Sequence, residues 1–175
     1  MRAFIAINIP EGVKEEIWKK FSGKFSRRGI KAVEKENLHI TLLFLGEVPD
    51  SYANDIRSKL EPLGAFGQFK LSLGDVGFFE PRVLWIGFSE GEEKLKAIHK
   101  KVCSLIGVPE ERFSAHLTIA RNKNLTAKEF WKLAEECRKE KVSASFVVSS
   151  IDIMKSTLTK AGPIYEKIGE VKLSA

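Results

Sequence analysis

A four-residue pattern occurs twice in this 175-residue chain, as His39-Ile-Thr-Leu42 and His116-Leu-Thr-Ile119, 77 residues apart. Its surroundings repeat as well, and that constrains the fold. Upstream of the first copy, Phe4 to Ile9 is an apolar strand-like run. Val13, Ile17, Phe21 and Phe25 follow at intervals of four, the stripe of an amphipathic helix. Upstream of the second, Val83 to Phe88 supplies the strand and Leu95, Ile98, Val102 and Leu105 the helix, with Ser89-Gly-Glu-Glu92 predicting a capping box. Downstream, Tyr52, Ile56, Leu60 and Leu63 correspond to Phe130, Leu133 and Cys137, the latter helix opened by Thr126 and Glu129. The alternating runs Phe69 to Leu73 and Phe146 to Ile151 each begin 30 residues after their motif histidine. The period is a duplicated βαβαβ unit. Two copies exclude a solenoid and predict an α+β chain: one two-lobed domain over residues 1–175, with pseudo-repeats about 1–81 and 82–175, antiparallel sheets around a central groove and helices outside. The lobes are expected to meet near residues 64–82. Leu158 to Gly162 reads as a turn and Tyr165 to Leu173 as a last strand.

Several classes fall away on composition. The longest apolar runs, such as Phe4 to Ile7 and Leu42 to Leu45, are far short of the roughly 18 residues of a bilayer span. Asn8 and Pro10 interrupt the first run, denying it the apolar region of a secretory signal, so a cytoplasmic location is expected. Net charge is +6, and residues 82–175 hold most of the excess, with 17 basic against 12 acidic side chains. A basic half raises the expectation of a polyanionic partner. The 21 Lys and 19 Glu beside a single Gln fit a thermophile's composition. Cys103 and Cys137 are too far apart for a redox pair or a zinc knuckle. Both lie near apolar helical stripes and read as buried, inert thiols, with a disulfide between them left open.

Successive side chains of a strand alternate faces, so His39 and Thr41 share one face while Leu38, Ile40 and Leu42 point into the core. His116 and Thr118 repeat the arrangement. Facing each other across a pseudo-twofold groove, two imidazoles and two hydroxyls form a site the size of a phosphate. Histidine titrates near neutrality, so one ring can act as base and the other as acid. Phosphodiester hydrolysis needs both, because water loses a proton as it attacks phosphorus and the leaving alkoxide gains one. Threonine hydroxyls can donate to the non-bridging oxygens as charge builds there. Neither a metal nor a cofactor is expected. The third histidine, His99, has no Thr at the matching spacing and lies on a Lys-flanked helix, which reads as structural.

The segments Asn37 to Gly46, Arg82 to Trp85, Phe113 to Arg121 and Gly162 to Tyr165 resemble the LigT-like RNA 2′,3′-cyclic phosphodiesterases, also named RNA 2′,5′-ligases, of the two-histidine phosphoesterase superfamily. The resemblance runs from Arg2 to Tyr165. It implies hydrolysis of a 2′,3′-cyclic phosphate on an RNA or nucleotide end, tRNA fragments among them, to a 2′-phosphomonoester, with 2′,5′ ligation as the reverse reaction. It implies His39 as acid on the 3′ oxygen, His116 as base on water, Thr41 and Thr118 on the phosphoryl oxygens and Arg121 as added positive charge. The residues alone leave acid and base exchangeable.

Strict alternation turns Arg121, five residues after His116, away from the groove. A bulge or the strand's end would turn it inward. Phe44, Phe79 and Tyr165 are candidates for base stacking, and Arg82, Lys123, Lys155, Lys160 and the Ser26-Arg-Arg-Gly29 loop for backbone phosphates. The chain is expected to act as a monomer. The competing reading is a non-catalytic basic module that grips an RNA end. An ATP-dependent ligase would need a phosphate-binding G-x-x-x-x-G-K-[ST] loop or a Lys-x-Asp-Gly segment, neither of which occurs. A zinc hydrolase would need more ligands than two groove histidines.

Overall fold

The apolar runs become strands and the four-residue stripes become helices in the computed structural model, which describes residues 1–175. In chain order these are β1 (Arg2–Asn8), α1 (Glu11–Phe21), β2 (Ile30–Ala32), β3 (His39–Glu47), α2 (Ala53–Leu60), β4 (Phe69–Phe79), β5 (Val83–Glu90), α3 (Glu92–Ile106), β6 (Leu117–Asn122), α4 (Ala127–Arg138), β7 (Ser145–Val148), β8 (Ser150–Thr159) and β9 (Gly162–Lys172). Each helix turns its predicted stripe inward: Val13, Ile17 and Phe21 on α1, Ile56 and Leu60 on α2, Leu95, Ile98 and Val102 on α3, Phe130, Leu133 and Cys137 on α4. Thr126 and Glu129 close the predicted capping box on α4, an arrangement that contributes about 1 kcal/mol. No helix is long and apolar enough to cross a membrane.

The capping box expected at Ser89 does not form. Strand β5 runs on through Glu90, and the Ser89 hydroxyl donates to Leu73 O at 3.2 Å. The chain instead enters α3 through Gly91 at φ +93°, where a Cβ would lie 2.6 Å from the carbonyl oxygen of Lys70. Only glycine fits that combination of positive φ and close backbone approach. At the other end, Gly107 in the left-handed region closes α3, with its N–H and that of Val108 donating to Cys103 O.

The strands form one curled antiparallel sheet in the order β7-β4-β5-β6-β3-β1-β8-β9, with β2 also pairing β6. Its halves meet at β3 and β6, where Ile40 pairs with Leu117, and not near residues 64–82 as the sequence suggested. The reason is an exchange of strands. Strand β4 leaves the first sequence repeat to pair with β5 and β7, while β8 leaves the second to pair with β1. The run expected as a single strand over Phe146 to Ile151 breaks at Ser149, β7 staying at one edge of the sheet while β8 joins the far side. Strands β8 and β9 then form a long hairpin in which Leu158 and Thr159 pair with Pro163 and Gly162, so the turn expected over Leu158 to Gly162 narrows to residues 160 and 161 and β9 begins three residues before Tyr165.

All four helices contribute to one core on the convex face, built with Ile5, Ile7, Ile40, Leu42, Leu84, Ile86, Leu117 and Ile119 of the central strands. A second, small apolar cluster of Phe4, Ala6 and Met154, with Tyr165 against it, sits on the concave face. That face carries the motif side chains.

Candidate active site

Alternation along β3 buries Leu38, Ile40 and Leu42 and leaves His39 and Thr41 on the concave face; Leu117 and Ile119 do the same for His116 and Thr118. The antiparallel register at Ile40 and Leu117 runs His39 toward Thr118 and Thr41 toward His116, a diagonal of two rings and two hydroxyls. Both rings are anchored alike. His39 Nδ1–H donates to Asn37 O at 2.6 Å, and His116 Nδ1–H donates to Ser114 O at 2.7 Å. A carbonyl can only accept, so each Nδ1 carries the proton and each Nε2 is left to gain or lose one. His39 Nε2 lies 2.9 Å from Thr41 Oγ1.

The surroundings of the two rings differ. His39 is wedged between Phe4 and Tyr165, each with its ring centre 5.1 Å away. His116 meets the edge of Phe79 at 5.1 Å and Trp85 at 6.2 Å and stays more open. Burial pushes the His39 pKa below 6.5, the Asn37 carbonyl opposes that, and the positive charges of Arg121 and His116 push it further down. His39 is therefore neutral at pH 7 in the free protein. Below pH 6.5 an unfolded chain would bind this proton more readily than the folded one, so acid removes stability at this position. In a proton NMR titration the His39 ring is expected to titrate below 6.5 in the free protein and to move upward when inorganic phosphate is added, because a bound anion favours the imidazolium. A free-protein midpoint at or above 6.5 would contradict the burial of this ring.

Arg121 reaches the concave face through a bulge. Trp85 pairs with Thr118 and Leu84 with Ala120, so Ile119 is an extra residue in β6. Ile119 and Ala120 are buried in succession, alternation is re-phased, and Arg121 emerges beside Thr118. Its charge acts on both His39 and Tyr165. Strand β3 has the same irregularity: Thr41 pairs with Ala6 and Leu43 with Ile5, leaving Leu42 extra. Phe44 is thereby brought to the concave face, 72% exposed, at the pseudo-equivalent position to Arg121. The two halves of the groove thus offer an aromatic ring on one side and a guanidinium on the other.

Tyr165 on β9 lies at the groove as expected, its hydroxyl pKa raised by burial and lowered by Arg121 and Arg2. The hairpin that carries it is tied to the first motif by Asn37 Nδ2, which donates to Pro163 O at 3.0 Å. Phe79 is there as well. Lys155 is not: it pairs with Ala3, whose neighbours Phe4 and Met154 take the concave face, so Lys155 points to the convex side. Lys160 sits at the exposed turn between β8 and β9, Arg82 at the turn between β4 and β5. The loop at Gly29 packs under Lys123, whose N–H donates to Gly29 O at 2.7 Å. Cys103 and Cys137 are free and buried, and burial pushes the Cys137 thiol up to about 12, which makes it unreactive.

Sequence reading missed three concave-face residues. Trp85 lies flat over Gly77, where a Cβ would come within 2.3 Å of the indole, and its Nε1–H is buried without a partner. Asp152, 3% exposed, accepts from Asn8 Nδ2 at 2.6 Å and from Ser150 Oγ at 2.9 Å. The signal for Asp152 was present, a lone carboxylate between Ile151 and Ile153, and Phe4 was hidden in a run that reads as core throughout. No three His, Cys, Asp or Glu side chains cluster as a metal-ion site.

A curled antiparallel sheet with two pseudo-equivalent His-x-Thr strands side by side on its concave face defines the two-histidine phosphoesterase class. Within that class, the chain belongs to the 2′-5′ RNA ligase superfamily, whose family model matches residues 10–159. It is 41% identical to a Methanocaldococcus jannaschii protein named RNA 2′,3′-cyclic phosphodiesterase, over 97% of this chain and 99% of that protein. An Archaeoglobus fulgidus protein of the same name is 37% identical over 96% of this chain and 98% of its own length. Among solved structures, TT0787 of Thermus thermophilus superposes with a TM-score of 0.76 at 25% identity, covering 99% of this chain and 98% of the other. Escherichia coli LigT complexed with 3′-AMP gives a TM-score of 0.78 at 22% identity with the same coverage, a likeness of fold.

Proposed function

We propose that the protein hydrolyses 2′,3′-cyclic phosphate ends of RNA or nucleotides to 2′-phosphomonoesters by metal-independent acid and base catalysis from its two motif histidines. The observation that supports the mechanism is the matched anchoring of the rings: both Nδ1 protons are engaged by backbone carbonyls, which leaves each Nε2 as the ring atom that can exchange a proton in the groove. The names of the full-length relatives support the substrate.

His116 Nε2 takes a proton from water as the water oxygen bonds to phosphorus. The bond from phosphorus to the 3′ oxygen breaks, and that oxygen takes the proton from His39 Nε2. His39 must be protonated for this step, and its free-protein pKa lies below 6.5. The anionic cyclic phosphate supplies the charge that raises it, so protonation accompanies binding. Thr41 and Thr118 donate to the non-bridging oxygens, and Arg121 offsets the charge that builds on them. Tyr165 against His39, and Phe44 beside Phe4, offer aromatic faces on this side of the groove, where a base or ribose would rest. Run in the same direction with a 5′-hydroxyl in place of water, the same steps form a 2′,5′ linkage, and run backwards they cleave it. The groove is complete within one chain, in keeping with a monomer acting in the cytoplasm on ends such as those of cleaved tRNA.

The test is a short RNA ending in a 2′,3′-cyclic phosphate, incubated with the protein in EDTA, with the product's phosphate located by phosphorus NMR. A 2′-phosphate is expected. Intact cyclic ends on RNA that stays bound would make the groove a binding site only, and a 3′-phosphate would reverse the leaving group.

A further inference from the structure

We propose that His99, on the convex side of the sheet and remote from the groove, is a positioning residue for both motif strands; this rests on the hydrolytic reading above. Its ring is buried, and Nδ1–H donates to Leu42 O at 2.8 Å. Leu42 is the extra residue at one of the two register shifts of β3 against β1, the one directly after Thr41, the other being at Leu45. A bulge leaves its additional residue outside the ladder, so a side chain that engages its carbonyl fixes the local path of the strand.

On its flat face the same ring stacks on Phe113, with centres 4.1 Å apart and planes within 9°. Phe113 belongs to the stretch 108–116, which has no regular secondary structure and ends on His116 itself. Nothing in a ladder holds His116 from that side. Its Nδ1 bond goes to Ser114, within the same stretch, and cannot fix the stretch against the sheet. Ala115 is buried in the main core, and Phe113 packs against that core and stacks on His99. One imidazole therefore links the turn after Thr41 to the approach to His116.

The protonation pattern suits this role. With Nδ1–H committed to Leu42, Nε2 is an acceptor, and Cys103 Sγ, a weak donor, lies 3.7 Å from it. The ring is turned away from solvent and from the groove. The first half has no counterpart: the residue 17 positions before His39, as His99 is before His116, is Ser22. There the approach to the motif is a short 3-10 turn over Lys35–Asn37 instead.

Displacement of a reacting group by a fraction of an ångström lowers turnover more than binding, because a phosphate held by several groups tolerates small errors that a proton transfer does not. His99→Phe keeps a flat ring against Phe113 and deletes the donor to Leu42. Phe113→Leu keeps apolar volume and deletes the stack. Each is expected to lower kcat about tenfold with KM within about twofold of wild type, and the double variant to fall no further than the worse single one, since both act through one unit. In addition, the His116 ring proton should shift in the NMR spectrum of each variant.

A purely structural role would lower thermal stability and leave kcat of the folded protein within about twofold of wild type, and that result overturns the proposal. If His99→Phe does not fold, Phe113→Leu decides alone, because it leaves the Leu42 bond untouched. Wild-type protein and His116→Ala run beside these variants. An inactive wild type means that the hydrolytic reading has failed, whereas an active wild type with fully active variants means that only the positioning role has.

Discussion

His39→Ala and His116→Ala are each expected to lower cyclic-phosphate hydrolysis by ~10²–10⁴-fold, the range of a single general acid or base. The double variant should lie close to the worse single one rather than at their product, since the two rings serve one transition state and removing either disables the pair. Neither change should unfold the protein. His116 is partly open, and the space left by His39 adjoins the groove, where solvent can enter. A phosphodiester with 4-nitrophenol as leaving group separates the roles. That group departs without a proton, so His39→Ala should regain much of its activity on it while His116→Ala should not. Rescue of His116→Ala instead would exchange acid and base. Retention of more than about a tenth of wild-type activity by either variant would contradict the two-histidine mechanism.

The second large effect is expected at Arg121. Its charge acts on His39 and Tyr165, and Arg121→Ala should cost ~10²–10³-fold in kcat, as for loss of a donor aimed at developing charge. Arg121→Lys should recover part of this, because lysine keeps the charge and loses the planar fork. Folding should be little affected, since the residue is exposed near the end of β6. Activity of Arg121→Ala within about threefold of wild type would return this side chain to the role of a solvated strand terminus. The same change should raise the pKa of His39, whose charged form Arg121 disfavours, and that shift can be read from the same NMR titration proposed for the wild type.

The motif strands, the four helices and the concave placement of His39, Thr41, His116 and Thr118 were legible because each follows from local periodicity. What was illegible depended on contacts between distant segments. Alternation alone sends Arg121 the wrong way, since the bulge at Ile119 is visible only in the pairing of β6 with β5. Ser89 has the composition of a helix cap, but β4 offers it Leu73 O and the strand wins. Ser149 carries no breaker signature, yet the chain changes sides of the sheet there because β1 and β4 both need a partner. His99 was read as structural from its Lys-flanked helix, and only Phe113 and Leu42 reveal what it joins.

The exchange of β4 and β8 between sequence halves also decides how the groove can move. Each wall of the groove is built from strands of both sequence halves, β4 with β5 on one side and β8 with β1 on the other, so opening the groove bends the sheet where Ile40 pairs with Leu117 rather than turning on the chain at residues 81 and 82. The distance between the two imidazoles is then set at the pairing of β3 with β6. Admission of an RNA end falls to the exposed rings at the rim, Phe44 and Phe79, which reorient on the nanosecond scale, while Tyr165 stays packed against Phe4 and His39.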